Sequence, residues 1–297
     1  NQLYIRILRS SYAHGRITEL DVSAARSRPG VEAVYTASDL TSLGGLPCRA
    51  ALKNAQGEPA FIPHRPILAE DKVLFVGQAI AAVVAQTPEQ AADAVEAIDL
   101  SVDDLPACSD LSAALNPDTL PIHDTRTDNL CVHFEQGSAT DVDQALASGA
   151  HRISVSLVNN RVVPSPLEPR ATLVEPADEG FSLYNPSQGA LGQRAVLAKV
   201  FSLPADQIRV ISPDTGGGFG VRGEVHSEVC VAAFAAMALN KPIKYTGDRS
   251  EMFLSDNHGR DNLTEVTGSF DTDGNLLAVR IETTANLGAY CSNAGPF

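Results

Sequence analysis

The chain has 297 residues, and its 22 Lys and Arg against 36 Asp and Glu give a net charge of −14. This acidic balance disfavours binding to nucleic acid or anionic lipid, because both partners need clustered cations. Hydrophobic residues make up 44% and charged residues 20%, which is typical of packed globular proteins and excludes general disorder. At about 150 residues per domain, the length predicts two domains.

The first domain is predicted over residues 1–105 as an α+β unit with a β-α-β core. A helix over 88–97 has the clearest start, because Thr87 can cap it and a proline suits its first position. The apolar run 73–85 predicts either one long strand or two strands broken at Gly77. The other predicted elements are strands at 4–8, 16–22, 31–36 and 98–102, a short helix at 23–26 and a loop at 41–71.

Residues 106–129 carry several prolines and little periodicity, and they predict a linker. Residues 130–297 predict a second α+β domain, in which Ser187 is expected to cap a helix over 188–201. Asp271–Gly274 is a strong hairpin signal between the last two strands. The remaining predictions are strands at 130–134, 152–158, 171–175, 181–185, 207–211, 243–246, 263–270 and 275–285, helices at 140–147 and 225–239, and a polar loop after 246.

The segment Gly216–Gly220, which reads Gly-Gly-Gly-Phe-Gly, lies between a predicted strand and a predicted helix. Glycines there allow positive φ and let a ligand approach the main chain closely. Their N–H groups, near the start of the next helix, can bind oxygen anions or oxo groups. We interpret the segment as a backbone cradle for a cofactor, the alternative being a tight turn without a ligand. Neither a P-loop nor a G-x-G-x-x-G dinucleotide fingerprint fits the spacing.

Three other polar segments each leave two interpretations open. Gln188, at a predicted helix start, can donate a hydrogen bond into a cleft or stand in solvent. Glu168 and Arg170 can form a site or an ordinary ion pair. Residues 256–261 can bind an anion or hold their own loop. No two of the seven histidines are spaced i, i+4, so no metal ligands are predicted.

The five cysteines are far apart and show no C-x-x-C spacing, which argues against zinc or iron–sulfur ligation by this chain. We interpret them as small buried hydrophobes typical of a reducing compartment, and we expect a cytoplasmic location. No run approaches ~20 apolar residues, so no membrane span is predicted. The chain opens and closes in mid-pattern without an initiator Met, so we expect both ends to be unfinished.

A set of ordered motifs runs along the chain. They are Arg6–Ile17, Val76–Ala85, Asn159–Arg161, Glu168–Arg170, Ser187–Gly189, Gly216–Gly220 and Asp256–Asp261. Together they resemble the molybdenum-cofactor-binding large subunit of the molybdenum hydroxylases, which include xanthine dehydrogenases, aldehyde oxidases and aerobic carbon monoxide dehydrogenases. The resemblance covers essentially the whole chain. It implies an α/β-hammerhead domain followed by the first part of a molybdopterin-binding domain.

The resemblance also implies roles for individual residues. Gln188 is the candidate catalytic residue and also contacts the cofactor, since it matches the glutamine that hydrogen-bonds the apical oxygen on molybdenum. Phe219 and Gly220 match the pair whose backbone lines the metal site and the pterin, and Gly217 and Gly218 shape that loop. The pterin dithiolene, rather than a protein side chain, holds the metal in this family.

The implied reaction hydroxylates a carbon or oxidises a small carbonyl with oxygen from water. The expected substrate is an aldehyde, an N-heterocycle or a CO-like molecule. The expected cofactor is a molybdenum pterin in its cytosine dinucleotide form, and electrons are expected to leave through 2Fe-2S and FAD partner subunits. The alternative is a non-catalytic assembly or docking module of such a complex.

The chain departs from the family pattern at two points. Purine-oxidising members carry a Glu four residues after the motif's Phe, where this chain has Gly223, with Glu224 one step further. Purine specificity is therefore not predicted. The family's general-base Glu lies near the end of the large subunit, so we expect it on a remaining part of that subunit or on another chain. Cys291 lies before the family's active-site cysteine and is not assigned to that role.

Overall fold

A computed structural model of the chain describes residues 2–293 and 295, and it confirms the predicted α+β class. The strands are β1 (Leu3–Arg9), β2 (Gly15–Asp21), β3 (Val31–Tyr35), β4 (Lys72–Val73), β5 (Ala79–Ala85), β6 (Asp99–Asp104), β7 (His151–Asn159), β8 (Ala171–Ala177), β9 (Gly180–Tyr184), β10 (Ile208–Ile211), β11 (Ile243–Thr246), β12 (Asn262–Phe270) and β13 (Leu276–Ala285). The helices are α1 (Ser23–Arg26), α2 (Pro88–Val95), α3 (Leu111–Ala114), α4 (Ala139–Ser148), α5 (Ala190–Phe201), α6 (Ser227–Leu239) and α7 (Arg249–Ser255). Single 3₁₀ turns lie at Ala37–Leu40, Ala205–Gln207 and Val221–Gly223.

The main sheet combines strands from both ends of the sequence. Its order is β10-β9-β8-β11-β1-β5-β3. The first strand runs parallel to β11, with Leu3 opposite Ile243, and antiparallel to β5, with Tyr4 opposite Ala85. Strands from before and after the predicted linker therefore share one hydrogen-bonded sheet.

The core lies where helices cover this sheet. Every residue of β5 is buried, as expected for a strand with apolar side chains on both faces. After Ser227 and Glu228 in its first turn, the helix α6 is also apolar on all sides, and such a helix must lie inside the protein. Its Val231 and Ala235 pack in one cluster with Ile5, Leu183 and Ile243 of the sheet.

Two smaller sheets flank the main one, with orders β4-β2-β6 and β13-β12-β7. The predicted hairpin is confirmed, because Gly274 turns the chain with φ of +83° between β12 and β13. A Cβ is disfavoured at that φ, which explains the glycine. In the described part of the chain, no helix is both long and apolar enough to cross a membrane.

A buried ion network joins distant segments around the carboxylate of Glu228, which is 2% exposed. Arg170 donates to it from Nε at 2.7 Å, and Arg9 donates from Nη2 at 3.2 Å. Arg170 also pairs with Asp256, and Arg9 Nε donates to Glu251 at 2.7 Å. Burial opposes ionisation of Glu228, but the charges of Arg170 and Arg9 outweigh it and hold its pKa well below its usual range. The network thus ties β1 and α6 to the chain just before β8.

Several predicted elements are wrong in detail. Residues 130–134 form no strand, since their backbone contacts an irregular segment instead, with Phe61 N donating to Cys131 O at 2.9 Å. Ser187 does not cap α5, whose N-cap is Gly189, so Gln188 precedes the helix rather than opening it.

The polar loop predicted after residue 246 contains the helix α7. Its N-cap Asp248 accepts a hydrogen bond from Glu251 N at 2.8 Å, and an Asp at this position is a capping signal. The predicted linker contains the single turn of α3, which Asp110 caps in the same way.

The run 73–85 forms two strands in different sheets, which was one of its two predicted alternatives. The chain turns at Gly77 with φ of +98°. A Cβ there would collide with the carbonyl of Leu254. The turn therefore requires glycine both for its φ and for its close contact with the C-terminal half of the chain.

The ion network gives a stability prediction. A Glu228→Gln substitution leaves the guanidinium groups of Arg9 and Arg170 buried without their shared anion. We expect the free energy of unfolding to fall by about 3 kcal/mol, read from the urea midpoint. The control is Glu19→Gln, at an exposed side chain of β2. This substitution should change the free energy of unfolding by less than about 0.5 kcal/mol. Equal stability of the two variants would contradict the role given to the network.

Candidate functional site

The glycine-rich segment Gly216–Gly220 forms a surface loop between β10 and the 3₁₀ turn Val221–Gly223. Gly217 and Gly220 have φ of +107° and +97°, values that residues with a Cβ rarely adopt. Phe219 also has a positive φ, +50°, and its side chain is 71% exposed. A non-glycine residue at such an angle costs roughly 1 kcal/mol, and such strain is concentrated at functional sites.

Gln188 lies directly against this loop. Gly220 N donates to Gln188 Oε1 at 2.9 Å, across 32 residues of sequence. A Cβ added to Gly218 would stand 2.6 Å from Gln188 Cδ, so the contact requires glycine there. Gln188 N in turn donates to the carbonyl of Arg222 at 3.1 Å. The structure thus brings together the residues predicted for the site: Gln188, Gly217, Gly218, Phe219 and Gly220.

The loop and Gln188 together present several unused hydrogen-bond donors. Within residues 2–293 and 295, no hydrogen bond uses Gln188 Nε2 or the backbone N–H groups of Gly217, Gly218 and Phe219. Successive free N–H groups in a loop of mixed backbone angles can bind an anion or an oxo group. The sequence predicted that these donors lie near the start of a helix. The helix α6 begins only at Ser227, so the donors do not belong to a helix N-terminus.

Glu168 holds the other end of the loop. Its Oε2 accepts from Gly216 N at 2.9 Å, and its own N donates to Gly216 O at 3.2 Å. The guanidinium of Arg222 donates to the carbonyl of Glu168 and lies 3.7 Å from its carboxylate. A Cβ on Gly216 would stand 2.5 Å from the Cβ of Glu168, so the two segments touch closely.

Beneath the loop lies a layer of buried polar groups. Arg222 is 3% exposed, and burial lowers its pKa. Burial raises the pKa of Glu224, and it lowers the pKa of His226 to about 3, so this imidazole stays neutral. Gln193 donates to the carbonyls of Arg222 at 3.2 Å and Glu224 at 3.0 Å. Sequence reasoning missed Gln193, because a single Gln inside a helix carries no motif.

Contacts bear on two of the open interpretations. Glu168 and Arg170 do not pair with each other, since Glu168 supports the glycine loop while Arg170 pairs with Glu228 and Asp256. The segment 256–261 is held against the chain before β8, because Gly259 and Val162 exchange two backbone hydrogen bonds of 2.9 and 3.0 Å.

In the described residues, no three His, Cys, Asp or Glu side chains are grouped as a metal ion would require. The loop donors and Gln188 are groups that suit a ligand which brings its own metal coordination.

Comparison with known families matches both halves of the chain. Residues 1–106 match the aldehyde oxidase and xanthine dehydrogenase a/b hammerhead domain. Residues 122–297 match the molybdopterin cofactor-binding domain, which contains the glycine loop and Gln188.

Individual relatives agree with these matches. The chain is 34% identical over 298 residues to the gamma subunit of the 6-hydroxypseudooxynicotine dehydrogenase complex of Paenarthrobacter nicotinovorans, covering 99% of this chain and 37% of that protein. It is 31% identical to the carbon monoxide dehydrogenase large chain of Hydrogenophaga pseudoflava, with the same coverage. Quinoline 2-oxidoreductase from Pseudomonas putida 86 superposes with a TM-score of 0.85 at 29% identity, covering 95% of this chain and 36% of that one.

The chain therefore spans little more than a third of the length of these relatives. The two domain matches, in the same order as the motifs, cover nearly all of it. The predicted family is confirmed: the chain belongs to the large, molybdopterin-binding subunits of the xanthine dehydrogenase and aldehyde oxidase family of molybdenum hydroxylases.

Proposed function

We propose that this chain forms one wall of a molybdenum–pterin active site in an enzyme that oxidises a small organic substrate with oxygen from water. The observation that carries the proposal is the contact between Gln188 and Gly220. It fixes a side-chain amide beside a strained glycine loop and leaves Nε2 free as a donor. The bound cofactor would supply the two-electron oxidation and the oxygen transfer.

The geometry of the glycine loop fits a molybdenum–pterin cofactor. Gly218 leaves room only for Gln188, and a Cβ at Gly220 would meet nothing within 4 Å, so the outer side of the loop is open. The free N–H groups of Gly217 and Phe219 provide donors for a ligand rich in oxygen. The exposed ring of Phe219 is available to cover the ligand and to exclude water.

In this proposal, each residue has a separate task. Gln188 donates from Nε2 to an oxygen of the cofactor, and a fixed donor of this kind stabilises charge that develops during reaction. Gly217, Gly218, Phe219 and Gly220 position the cofactor through their backbone. The general-base Glu is expected on the remaining part of the molybdenum subunit or on another chain.

We propose the substrate class and the partner subunits of this chain from those of its family. The named relatives act on 6-hydroxypseudooxynicotine, carbon monoxide and quinoline. We propose an N-heterocycle, an aldehyde or a CO-like substrate for this chain. Gly223 stands where purine-oxidising members have Glu, which argues against a purine. We further propose a cytoplasmic complex in which electrons pass to 2Fe-2S and FAD subunits.

The role of Gln188 gives the main functional prediction. In a Gln188→Glu variant, a carboxylate oxygen still accepts from Gly220 N, but the N–H donor is lost. We expect kcat/KM to fall by about 10²–10³-fold with the molybdenum content unchanged, measured by steady-state kinetics and metal analysis.

The control for this variant is Gln56→Glu, at an exposed loop residue far along the chain, which should leave kinetics and metal content unaltered. If the fully loaded Gln188→Glu enzyme turned over normally, the catalytic proposal would fail. The alternative of a non-catalytic docking module would then be favoured.

Glu168 gives a contrasting prediction. A Glu168→Ala substitution removes the acceptor of Gly216 N and the charge beside Arg222, and a hydrogen bond to a charged group contributes about 1.5–3 kcal/mol. We expect the molybdenum and pterin content of the purified protein to fall at least about tenfold. The control Glu96→Ala, at an exposed side chain, should load normally. Full loading of Glu168→Ala would show that the loop keeps its shape without this carboxylate.

The form of the cofactor is tested on the native complex. We expect acid hydrolysis to release cytidine monophosphate, as a cytosine dinucleotide form requires. We also expect iron and flavin to co-purify with the molybdenum. A guanine nucleotide or a pterin without a nucleotide would contradict the proposed form.

A further inference from the structure

Two cysteines meet where three irregular segments of the chain come together, at 46–66, 121–134 and 286–293. Cys131 forms two contacts with the first segment: Phe61 N donates to its carbonyl at 2.9 Å, and its Sγ donates to the Phe61 carbonyl at 3.1 Å. His123 Nε2 lies 2.8 Å from the carbonyl of Ala289, which joins the second segment to the third. Residues 130 and 131 were predicted to start a strand, so this meeting point was not visible in the sequence.

Cys131 Sγ and Cys291 Sγ lie 3.7 Å apart, although 160 residues separate them in sequence. Cys131 is half-buried, whereas Cys291 is 6% exposed. A disulfide would require the sulfurs to close to about 2.05 Å. Of the other cysteines, Cys230 is fully buried inside α6, and Cys108 Sγ donates to the carbonyl of Asp110, so neither shares this contact.

The two thiols differ in chemistry. The hydrogen bond from Cys291 lowers the pKa of Cys131 to about 7, against the opposing effect of burial and with help from the charge of Arg126. The same hydrogen bond raises the pKa of Cys291 above its usual range. Cys131 is therefore the sulfur that more readily becomes a thiolate, although it then gives up its own S–H hydrogen bond to the Phe61 carbonyl, and Cys291 is the sulfur that stays a neutral thiol. This combination is typical of a reactive cysteine beside a resolving cysteine.

We propose that Cys131 and Cys291 are a redox-sensitive pair that a hydroperoxide converts into an intramolecular disulfide. The Cys131 thiolate attacks a peroxide oxygen, so that an S–O bond forms, the O–O bond breaks and an alcohol or water leaves. Cys291 then attacks the resulting sulfenic acid, forming the S–S bond and releasing water. Two thiols lose two electrons in total and the hydroperoxide gains them. A dithiol reductant reverses the change.

The position of the pair gives the disulfide a structural consequence. Ser292, next to Cys291, lies near the carboxyl of Glu224, which follows the glycine loop. Tyr290, on its other side, accepts from Gln78 Nε2 at 3.2 Å. The disulfide would therefore anchor the segment 286–293, which contacts the polar layer beneath the site, to the segment that holds Cys131.

The test treats the intact purified protein with hydrogen peroxide, alkylates the remaining thiols and maps the peptides by mass spectrometry. We expect a Cys131–Cys291 linked peptide two hydrogens lighter than the reduced pair, and its loss after dithiothreitol. Oxidation of Cys131 to sulfinic acid with Cys291 still alkylated would overturn the proposal. So would a link from Cys291 to Cys48, or two thiols that stay reduced.

Variants make the assignment specific. In Cys291→Ala, dimedone should trap the Cys131 sulfenic acid, and alkylation of Cys131 at pH 7 should slow about tenfold because the thiolate loses its hydrogen bond. The control Cys108→Ala should form the disulfide at the normal rate. Unchanged alkylation of Cys131 in Cys291→Ala would show that the two sulfurs do not interact.

Discussion

The arrangement of this chain depends on the ion pairs that the buried carboxylate of Glu228 forms with two arginines. The carboxylate accepts from Arg9 of the first strand and from Arg170 before β8, while its own helix begins a few residues after the glycine loop. Each of these charges is far from water, and removing one leaves the others uncompensated at a cost of several kcal/mol. The network therefore tolerates little change in where the three segments stand relative to one another.

The candidate site is positioned by the same segments. Glu168 lies two residues before Arg170, so the network that fixes Arg170 also fixes the carboxylate that holds Gly216. Gln188 holds the opposite end of the loop through Gly220. A loop with several positive φ angles has few stabilising contacts of its own, and its shape is set by these two side chains. Neighbouring residues thus have separate tasks. The buried groups beneath the loop stabilise the fold, and the groups of the loop itself donate hydrogen bonds.

Much of the local structure was predictable, because it depends on neighbouring residues. The cap of α2, the hairpin between β12 and β13 and the buried character of α6 follow from capping, turn and periodicity signals. The wrong predictions lie at segments whose local sequence signals do not match their surroundings in the fold. The stretch 130–134 has the composition of a strand but no partner strand, and Gln188 resembles a helix start but precedes the helix by two residues.

The sequence by itself determined the family and the position of the glycine loop, and it predicted the residues of the candidate site, since each is carried by a short ordered motif. Only the tertiary structure decided which distant groups meet. It placed Gln188 on Gly220, Arg9 on Glu228 and Cys131 beside Cys291. It also paired the first strand with β11. Contacts across such sequence distances depend on how the sheets and helices pack, and they leave no periodic signal in the chain itself.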